Sequence, residues 1–172
     1  CKDATAHYRT LSGETKLKDA RTPFCPECVL VEADDCTRGE LVGAACSRLM
    51  NDLWFARLSR PDLKRCICEL ATKLNCWSRN DDRRAKRLMC YMNSSWHYRL
   101  FGKVHDLPTH VRLLLFVDAD LCGNPLTSRA TFGGDLVLAG PNTWFPLMWV
   151  AKRQTATSRS TTEAETISLA TS

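Results

Sequence analysis

The sequence predicts an α+β fold in which a helical section comes first and an antiparallel meander with one further helix comes last. Apolar residues recur at steps of three and four between residues 39 and 93, which is the period of an amphipathic helix. From about residue 96 the pattern changes to short apolar runs separated by turn residues, which is typical of strands. The 172 residues are enough for one ordinary domain or two small ones.

The first of three predicted sections, residues 1–38, is a loop-rich lead-in, because it contains two prolines and shows no sustained hydrophobic period. Cys25 and Cys28 have the spacing of a zinc-ligand pair, but a structural zinc site needs four ligands. Cys36 offers a third ligand and the sequence supplies no clear fourth. A cysteine-rich turn is the competing interpretation.

The second section, residues 39–95, is predicted to be helical. Its first helix carries one apolar stripe: Leu41, Val42, Ala45, Leu49, Leu53 and Trp54. A second helix is predicted to begin at 59–62, where Ser59 can cap the first backbone N–H groups and Pro61 suits the first turn. A third begins near 80–82, because acidic residues favour the positive end of the helix dipole.

The third section, residues 96–172, is predicted to hold strands and a final helix. The predicted strands are 96–104, at an edge, then 111–117, 131–139 and 143–152. Since the connections between the last three are short, we expect an antiparallel meander. Ser160 and Glu163 have capping-box spacing and open a helix that runs through Ala170.

Positive charge is concentrated in the middle of the chain. Residues 51–110 contain 12 basic and 6 acidic side chains, a net +6, whereas the whole chain carries +5. A basic helical surface suggests a polyanion such as a nucleic acid as partner. The alternative is a solvated helix face balanced by Asp81 and Asp82. The candidate nucleic-acid contacts on this helix are Arg83, Arg84, Lys86 and Arg87.

The sequence predicts neither a membrane span nor a disulfide framework. The longest uncharged stretch, 136–151, has sixteen residues and is interrupted by glycine and proline, whereas a span needs about 20 apolar residues. Residues 1–10 are polar and show no signal peptide. We therefore expect an intracellular protein whose ten cysteines are mostly small apolar side chains.

Three carboxylates stand where a metal site could form. Asp118 and Asp120 end an apolar strand, and Glu165 lies in the first turns of the final helix. Such oxygen ligands suit Mg²⁺ or Mn²⁺, and two ions can activate water for phosphodiester cleavage. The alternative is structural, because strand-end aspartates commonly form turns. Glu163 points to another side of the helix and fits a cap.

Four motifs follow one another along this section: Val117-Asp-Ala-Asp120 with Gly123, Ser128-Arg-Ala-Thr131 with Gly133, Trp149 with Lys152-Arg-Gln154, and Ser158-Arg-Ser-Thr-Thr-Glu-Ala-Glu165. In order, spacing and residue type they resemble the ribonuclease H domain of copia-type LTR retrotransposon Pol polyproteins. Upstream, residues 40–43, 56–62 and 81–92 resemble the thumb or connection segment after the reverse transcriptase palm. The resemblance covers roughly residues 18–172.

The resemblance implies a partial ribonuclease H-like fold and a parent enzyme that hydrolyses RNA in RNA–DNA hybrids, coupled to reverse transcription. It implies that Asp118 and Glu165 are catalytic metal ligands, with Asp120 beside them, and that the cofactor is Mg²⁺ or Mn²⁺. Further contacts to nucleic acid are expected at Lys152, Arg153 and Arg159, since positive charge supplies most affinity that is independent of sequence. The alternative for Lys152 and Arg153 is a solvated strand end.

The family's remaining two metal-binding acids would fall after residue 172, and the polymerase aspartates before residue 1. We therefore expect a Pol fragment, truncated at the C-terminus of the ribonuclease H-like fold, with weak or absent metal binding and little catalysis alone. Its partners would be an RNA–DNA hybrid and the remainder of the polyprotein, in a virus-like particle or the nucleus. Two alternatives are a non-enzymatic, basic nucleic-acid-binding relic or domesticated module and a zinc-stabilised interaction domain.

Overall fold

The computed structural model describes residues 1–120, 130–155 and 157–171, without the side chains of Glu27 and Thr171. The chain divides into two compact units: one comprises Cys1–Ala56 and Asp62–Arg99, the other Arg57–Pro61 and Leu100–Ser172. The predicted α+β class is confirmed as a mixture of helices and a three-stranded antiparallel sheet. The motif residues Gly123, Ser128 and Arg129 lie outside the described residues.

The first unit is helical. Its helices are α1 (Lys2–Ser12), α2 (Val42–Leu58), α3 (Pro61–Ala71) and α4 (Arg79–Ser94). Helix α3 begins at Pro61 as predicted, and α4 begins one residue before the predicted start, after a capping box made by Ser78 and Asp81. The apolar core of this unit includes the fully buried side chains Leu49, Leu63, Ile67, Leu70, Leu88, Met89 and Met92.

The lead-in is more regular than its sequence suggests, because Lys2–Ser12 form helix α1. Tyr8 of this helix is buried in the core, and Gly13, with φ of 68°, ends the helix in the left-handed conformation that glycine favours. The rest of the lead-in contains two short 3₁₀ turns, Glu27–Val29 and Glu32–Asp35.

The Asp82 carboxylate of α4 ties the beginning of α2 to α4. It accepts hydrogen bonds from the backbone N–H groups of Glu40, at 2.6 Å, and Leu41, at 3.2 Å. It also accepts one from the indole Nε1 of buried Trp77, at 2.7 Å. A side chain of one helix therefore satisfies N–H groups at the start of another.

The second unit is built on a sheet of β1 (Arg112–Asp120), β2 (Thr131–Gly140) and β3 (Thr143–Arg153), paired in the order β1-β2-β3. Helix α5 (Thr161–Thr171) packs against β1 and β2. The edge strand predicted at 96–104 is reduced to one isolated bridge, in which Lys103 and Trp144 exchange backbone hydrogen bonds. No described helix is both long and apolar enough to cross a membrane.

Candidate functional site

Two of the predicted site residues lie at the C-terminal end of β1. Asp118 and Asp120 are exposed and occupy the same face of the sheet, because alternate residues of a strand point the same way. The residues between and before them, Ala119 and Val117, are half-buried and occupy the other face. The Asp118 Oδ1 accepts a hydrogen bond from the Ala119 N–H at 2.9 Å.

The position beside Asp118 on the same face is open. Asp118 is paired with Gly133 of β2, and paired residues project from the same side of a sheet. A Cβ atom built on Gly133 would meet only the Val150 carbonyl oxygen, at 4.0 Å. The sheet surface beside Asp118 therefore carries no side chain at this position.

Helix α5, which carries Glu165, is held to the end of the sheet by Gln154. The side chain of Gln154 is 3% exposed, and its Nε2 donates to the Ala164 carbonyl oxygen at 2.7 Å and the Ser168 Oγ at 2.9 Å. Its Oε1 accepts from the Ser158 Oγ at 2.9 Å. Gln154 thus positions α5, although the sequence singled it out only as part of a motif.

Glu163 caps α5 as the sequence predicts. Its carboxylate accepts from the Arg159 N–H at 2.7 Å, and its own N–H donates to the Ser160 Oγ at 3.2 Å. Glu165 is exposed, on a helix that packs against the strand of Asp118. The close approach of the Asp118 and Glu165 carboxylates stays a prediction.

The three basic residues predicted near this site occupy different positions. Arg153 is paired with Thr131, which is paired with Asp120, so Arg153 shares the face and the end of the sheet with the two aspartates. Lys152 is exposed on the opposite face. Arg159 is exposed in the segment before α5.

No three histidine, cysteine, aspartate or glutamate side chains within 1–120, 130–155 and 157–171 form a group that could hold a metal ion. That finding covers the carboxylates of Asp118, Asp120 and Glu165. It also covers the thiols Cys25, Cys28 and Cys36. The described residues therefore do not make a complete site for a divalent ion.

The basic residues predicted on α4 all have partners within the helical unit. Arg83 pairs with Asp34 and Arg84 with Asp81, while Lys86 pairs with Glu14 and Arg87 donates to the Thr22 carbonyl oxygen. Three of these four partners belong to the lead-in. The four side chains can contact a phosphate only by sharing or giving up these bonds, so part of the charge on α4 serves to hold the lead-in in place.

Helix α2 contains a buried ion pair that the sequence analysis did not single out. Arg48 Nε and Asp52 Oδ2 are 3.2 Å apart, and the Asp52 Oδ1 has no hydrogen-bond partner among the described residues. Burial raises the pKa of Asp52 to about 6, against the opposing effect of Arg48. A cavity of about 20 Å³, the size of one water molecule, adjoins this pair and Tyr8. The available clue was the spacing of an arginine and an aspartate four residues apart on an apolar helix.

Comparison of the chain with protein-family models, with curated proteins and with solved structures found no match. The resemblance to the ribonuclease H domain accordingly depends on the motif residues between Val117 and Glu165 and on the arrangement of the elements that carry them.

Proposed function

We propose that the chain is a fragment of a copia-type retrotransposon Pol polyprotein and that residues 96–172 are the first part of a ribonuclease H-like domain. One observation carries the proposal. A three-stranded antiparallel meander is followed by a helix that packs against its first two strands, with Asp118 in the first strand and Glu165 in that helix. This order of elements is the one that the motif resemblance implies.

The parent activity in this proposal is hydrolysis of the RNA strand of an RNA–DNA hybrid, coupled to reverse transcription inside the cell. Asp118 and Glu165 would be the catalytic carboxylates, with Asp120 beside them. The open space next to Asp118 and the positive charge of Arg153 at the same sheet end suit a phosphate backbone. Mg²⁺ or Mn²⁺ would supply the Lewis acid in the parent enzyme, and this chain alone would have little or no activity.

The test is whether a single bound ion affects the NMR signals of both Asp118 and Glu165. We expect submillimolar Mn²⁺ to broaden the backbone amide NMR signals of Asp118 and Glu165 together, and Asp118→Asn to abolish both effects. Asp135→Asn, on the adjacent strand, is the matched control and should leave them unchanged. Broadening at Asp118 without Glu165, or broadening that survives Asp118→Asn, would contradict the assignment.

A non-enzymatic nucleic-acid-binding module is the second candidate, and two exposed tryptophans favour it. Trp54 is 68% exposed and Trp96 is 47% exposed, whereas Trp77 is buried. Large aromatic side chains are usually buried, and exposed ones can stack on unpaired bases. Both exposed rings belong to the helical unit, which also carries most of the excess positive charge.

For this second candidate we expect Trp54→Ala to weaken binding of a single-stranded oligonucleotide about tenfold, since stacking contributes about 1–3 kcal/mol per base. Fluorescence anisotropy at several salt concentrations measures it, and affinity should fall steeply as salt rises. Leu58→Ala, an equally exposed apolar residue of the same helix, is the control. Equal loss in both variants, or no binding at low salt, would argue against this function.

A further inference from the structure

Two cysteines of the helical unit line one small cavity. Cys25 of the lead-in and Cys66 of α3 form part of its wall, and its volume of about 40 Å³ has room for only a few water molecules. The Cys66 Sγ donates a hydrogen bond to the Pro23 carbonyl oxygen at 3.4 Å, so this thiol contacts the lead-in two residues before Cys25. The fold therefore brings together two thiols that are far apart in sequence.

The two thiols differ in their access to solvent. Cys66 is 4% exposed, whereas Cys25 is half-buried. Burial raises the pKa of both thiols, that of Cys66 to about 12, and the nearby Arg84 opposes the rise at each. At neutral pH Cys66 therefore keeps its proton, and Cys25 is the thiol that an oxidant in solution reaches first.

The neighbouring cysteines are placed differently. Cys28, three residues after Cys25, is exposed and does not line the cavity. Cys68 follows Cys66 by two residues on a helix, so it points to another side of α3. Cys25 and Cys66 are the two described thiols that this cavity brings together.

We propose that Cys25 and Cys66 form a reversible disulfide that fastens the lead-in to α3, with hydrogen peroxide or an organic hydroperoxide as the oxidant. In a reducing compartment such a bond is transient, and it forms when conditions become oxidising. Neither cysteine belongs to the candidate site of the sheet unit or to the basic residues of α4. The inference is therefore independent of the proposed function.

The reaction has two steps. The Cys25 thiolate attacks one oxygen of the peroxide, the O–O bond breaks and hydroxide leaves, which converts Cys25 to a sulfenic acid. The Cys66 sulfur then attacks the Cys25 sulfur, the S–O bond breaks and a second hydroxide leaves. The protons of the two thiols convert the two hydroxides to water. Two thiols are thereby oxidised by two electrons, and one hydrogen peroxide is reduced to two waters.

The bond adds a covalent link to a segment that is otherwise held by separate polar contacts. The Val31 N–H donates to the Asn80 Oδ1 at 3.1 Å, and the Asn80 Nδ2 donates to the Val31 carbonyl oxygen at 2.8 Å. The lead-in can open locally when such contacts break. A link from Cys25 to α3 restricts the open states, so opening becomes rarer.

Peptide mapping of the full chain is the decisive experiment. The chain is treated with hydrogen peroxide, remaining thiols are blocked with N-ethylmaleimide, and the monomer is digested with trypsin and with a protease that cleaves after glutamate. Cleavage after Glu27 separates Cys25 from Cys28. We expect mass spectrometry to show residues 22–27 joined to the peptide that contains Cys66, and dithiothreitol to release them.

Single substitutions identify the two sulfurs. Cys25→Ser and Cys66→Ala should each abolish the cross-link, whereas the matched controls Cys28→Ser and Cys68→Ser should retain it. Cys25 is half-buried, so its replacement tests the bond without emptying the core. A bond between Cys25 and Cys28, or a Cys25 cross-link that survives Cys66→Ala, would overturn the proposal. So would peroxide oxidation of Cys28 that leaves Cys25 and Cys66 as thiols.

Hydrogen exchange tests the fastening itself. In the oxidised chain we expect the Val31 amide to exchange about tenfold more slowly, or slower still, than in the reduced chain. The Trp144 amide of the sheet unit should exchange equally in both, and peroxide should change neither amide in Cys25→Ser. Equal exchange of Val31 in the oxidised and reduced chains would show that the bond does not fasten the lead-in.

Discussion

The two units bury their apolar side chains to very different degrees. In the helical unit, Leu63, Ile67 and Leu88 are fully inaccessible to solvent. In the sheet unit, the apolar residues Leu113 to Phe116 of β1 are between 40% and 63% exposed. Since burying a leucine contributes about 1.5–3 kcal/mol, the helical unit has an internal source of stability that β1 lacks. The comparison teaches that apolar side chains make a closed core in the helical unit, whereas those of β1 stay largely accessible to solvent in the described part of the chain.

The largest expected effect tests this contrast with one substitution made in both units. Leu88→Ala should lower the free energy of unfolding by about 2–5 kcal/mol, because it empties part of a packed core. Leu113→Ala, in a side chain that already faces solvent, should change it by less than about 0.5 kcal/mol. Urea denaturation measures both. Similar losses would show that β1 is buried in solution.

A pH series sharpens the comparison by probing Asp52, a buried carboxyl group of the helical unit whose Oδ1 has no hydrogen-bond partner among the described residues. The folded-state pKa of Asp52 is raised from 3.8 to about 6 by burial, while Arg48, the terminal amino group and His7 oppose the shift. Below about pH 4 the carboxyl is protonated in both states. As pH rises from about 4 to about 6, the unfolded state loses the proton while the folded state retains it, so the free energy of unfolding should fall by up to about 3 kcal/mol and then level off above pH 6.

Urea denaturation at pH 4.5 and 7.5 measures this fall. Asp52→Asn should flatten the dependence, and Asp3→Asn, at an exposed position of α1, should leave it as it is. Identical pH profiles for the unaltered chain and Asp52→Asn would show that Asp52 is not the group responsible.

The smallest effect concerns the best-bonded part of the sheet unit. Gln154→Leu should destabilise the attachment of α5 by about 1–3 kcal/mol, because it removes the hydrogen bonds that the Gln154 amide donates to the Ala164 carbonyl oxygen and the Ser168 hydroxyl. Hydrogen exchange should show faster exchange in α5 while the helical unit is unchanged. Thr155→Ala, exposed and adjacent, is the control. Equal protection of α5 in both variants would exclude the positioning role.

Local sequence patterns predicted most of the fold. Helix starts at Pro61 and near Asn80 followed from capping residues, and the three strands followed from apolar runs between turn residues. Helix α1 was missed because its stability comes from Tyr8 in the core rather than from its own sequence period. The prediction of a strand at 96–104 was wrong. A strand needs a neighbouring strand with which to pair, and among these residues only Lys103 forms a bridge, to Trp144.

The candidate site was predictable only in its residue types. Strand-end aspartates and a helix glutamate could be named from the sequence, and so could the cap at Glu163. The role of Gln154 could not be predicted, since this role depends on the position of α5 relative to β3. The ion pairs that Arg83 and Lys86 form with the lead-in could not be predicted either, because they join residues far apart in sequence.

The Asp82 carboxylate accepts hydrogen bonds from the N–H groups of Glu40 and Leu41, so we expect local opening at the start of α2 to be coupled to opening of the first turn of α4. The start of α2 cannot keep its hydrogen bonds when the first turn of α4 opens, and α4 cannot open there without exposing a carboxylate that has lost three donors. The amides of Glu40 and Leu41 should therefore exchange with solvent at the rate set by opening of α4.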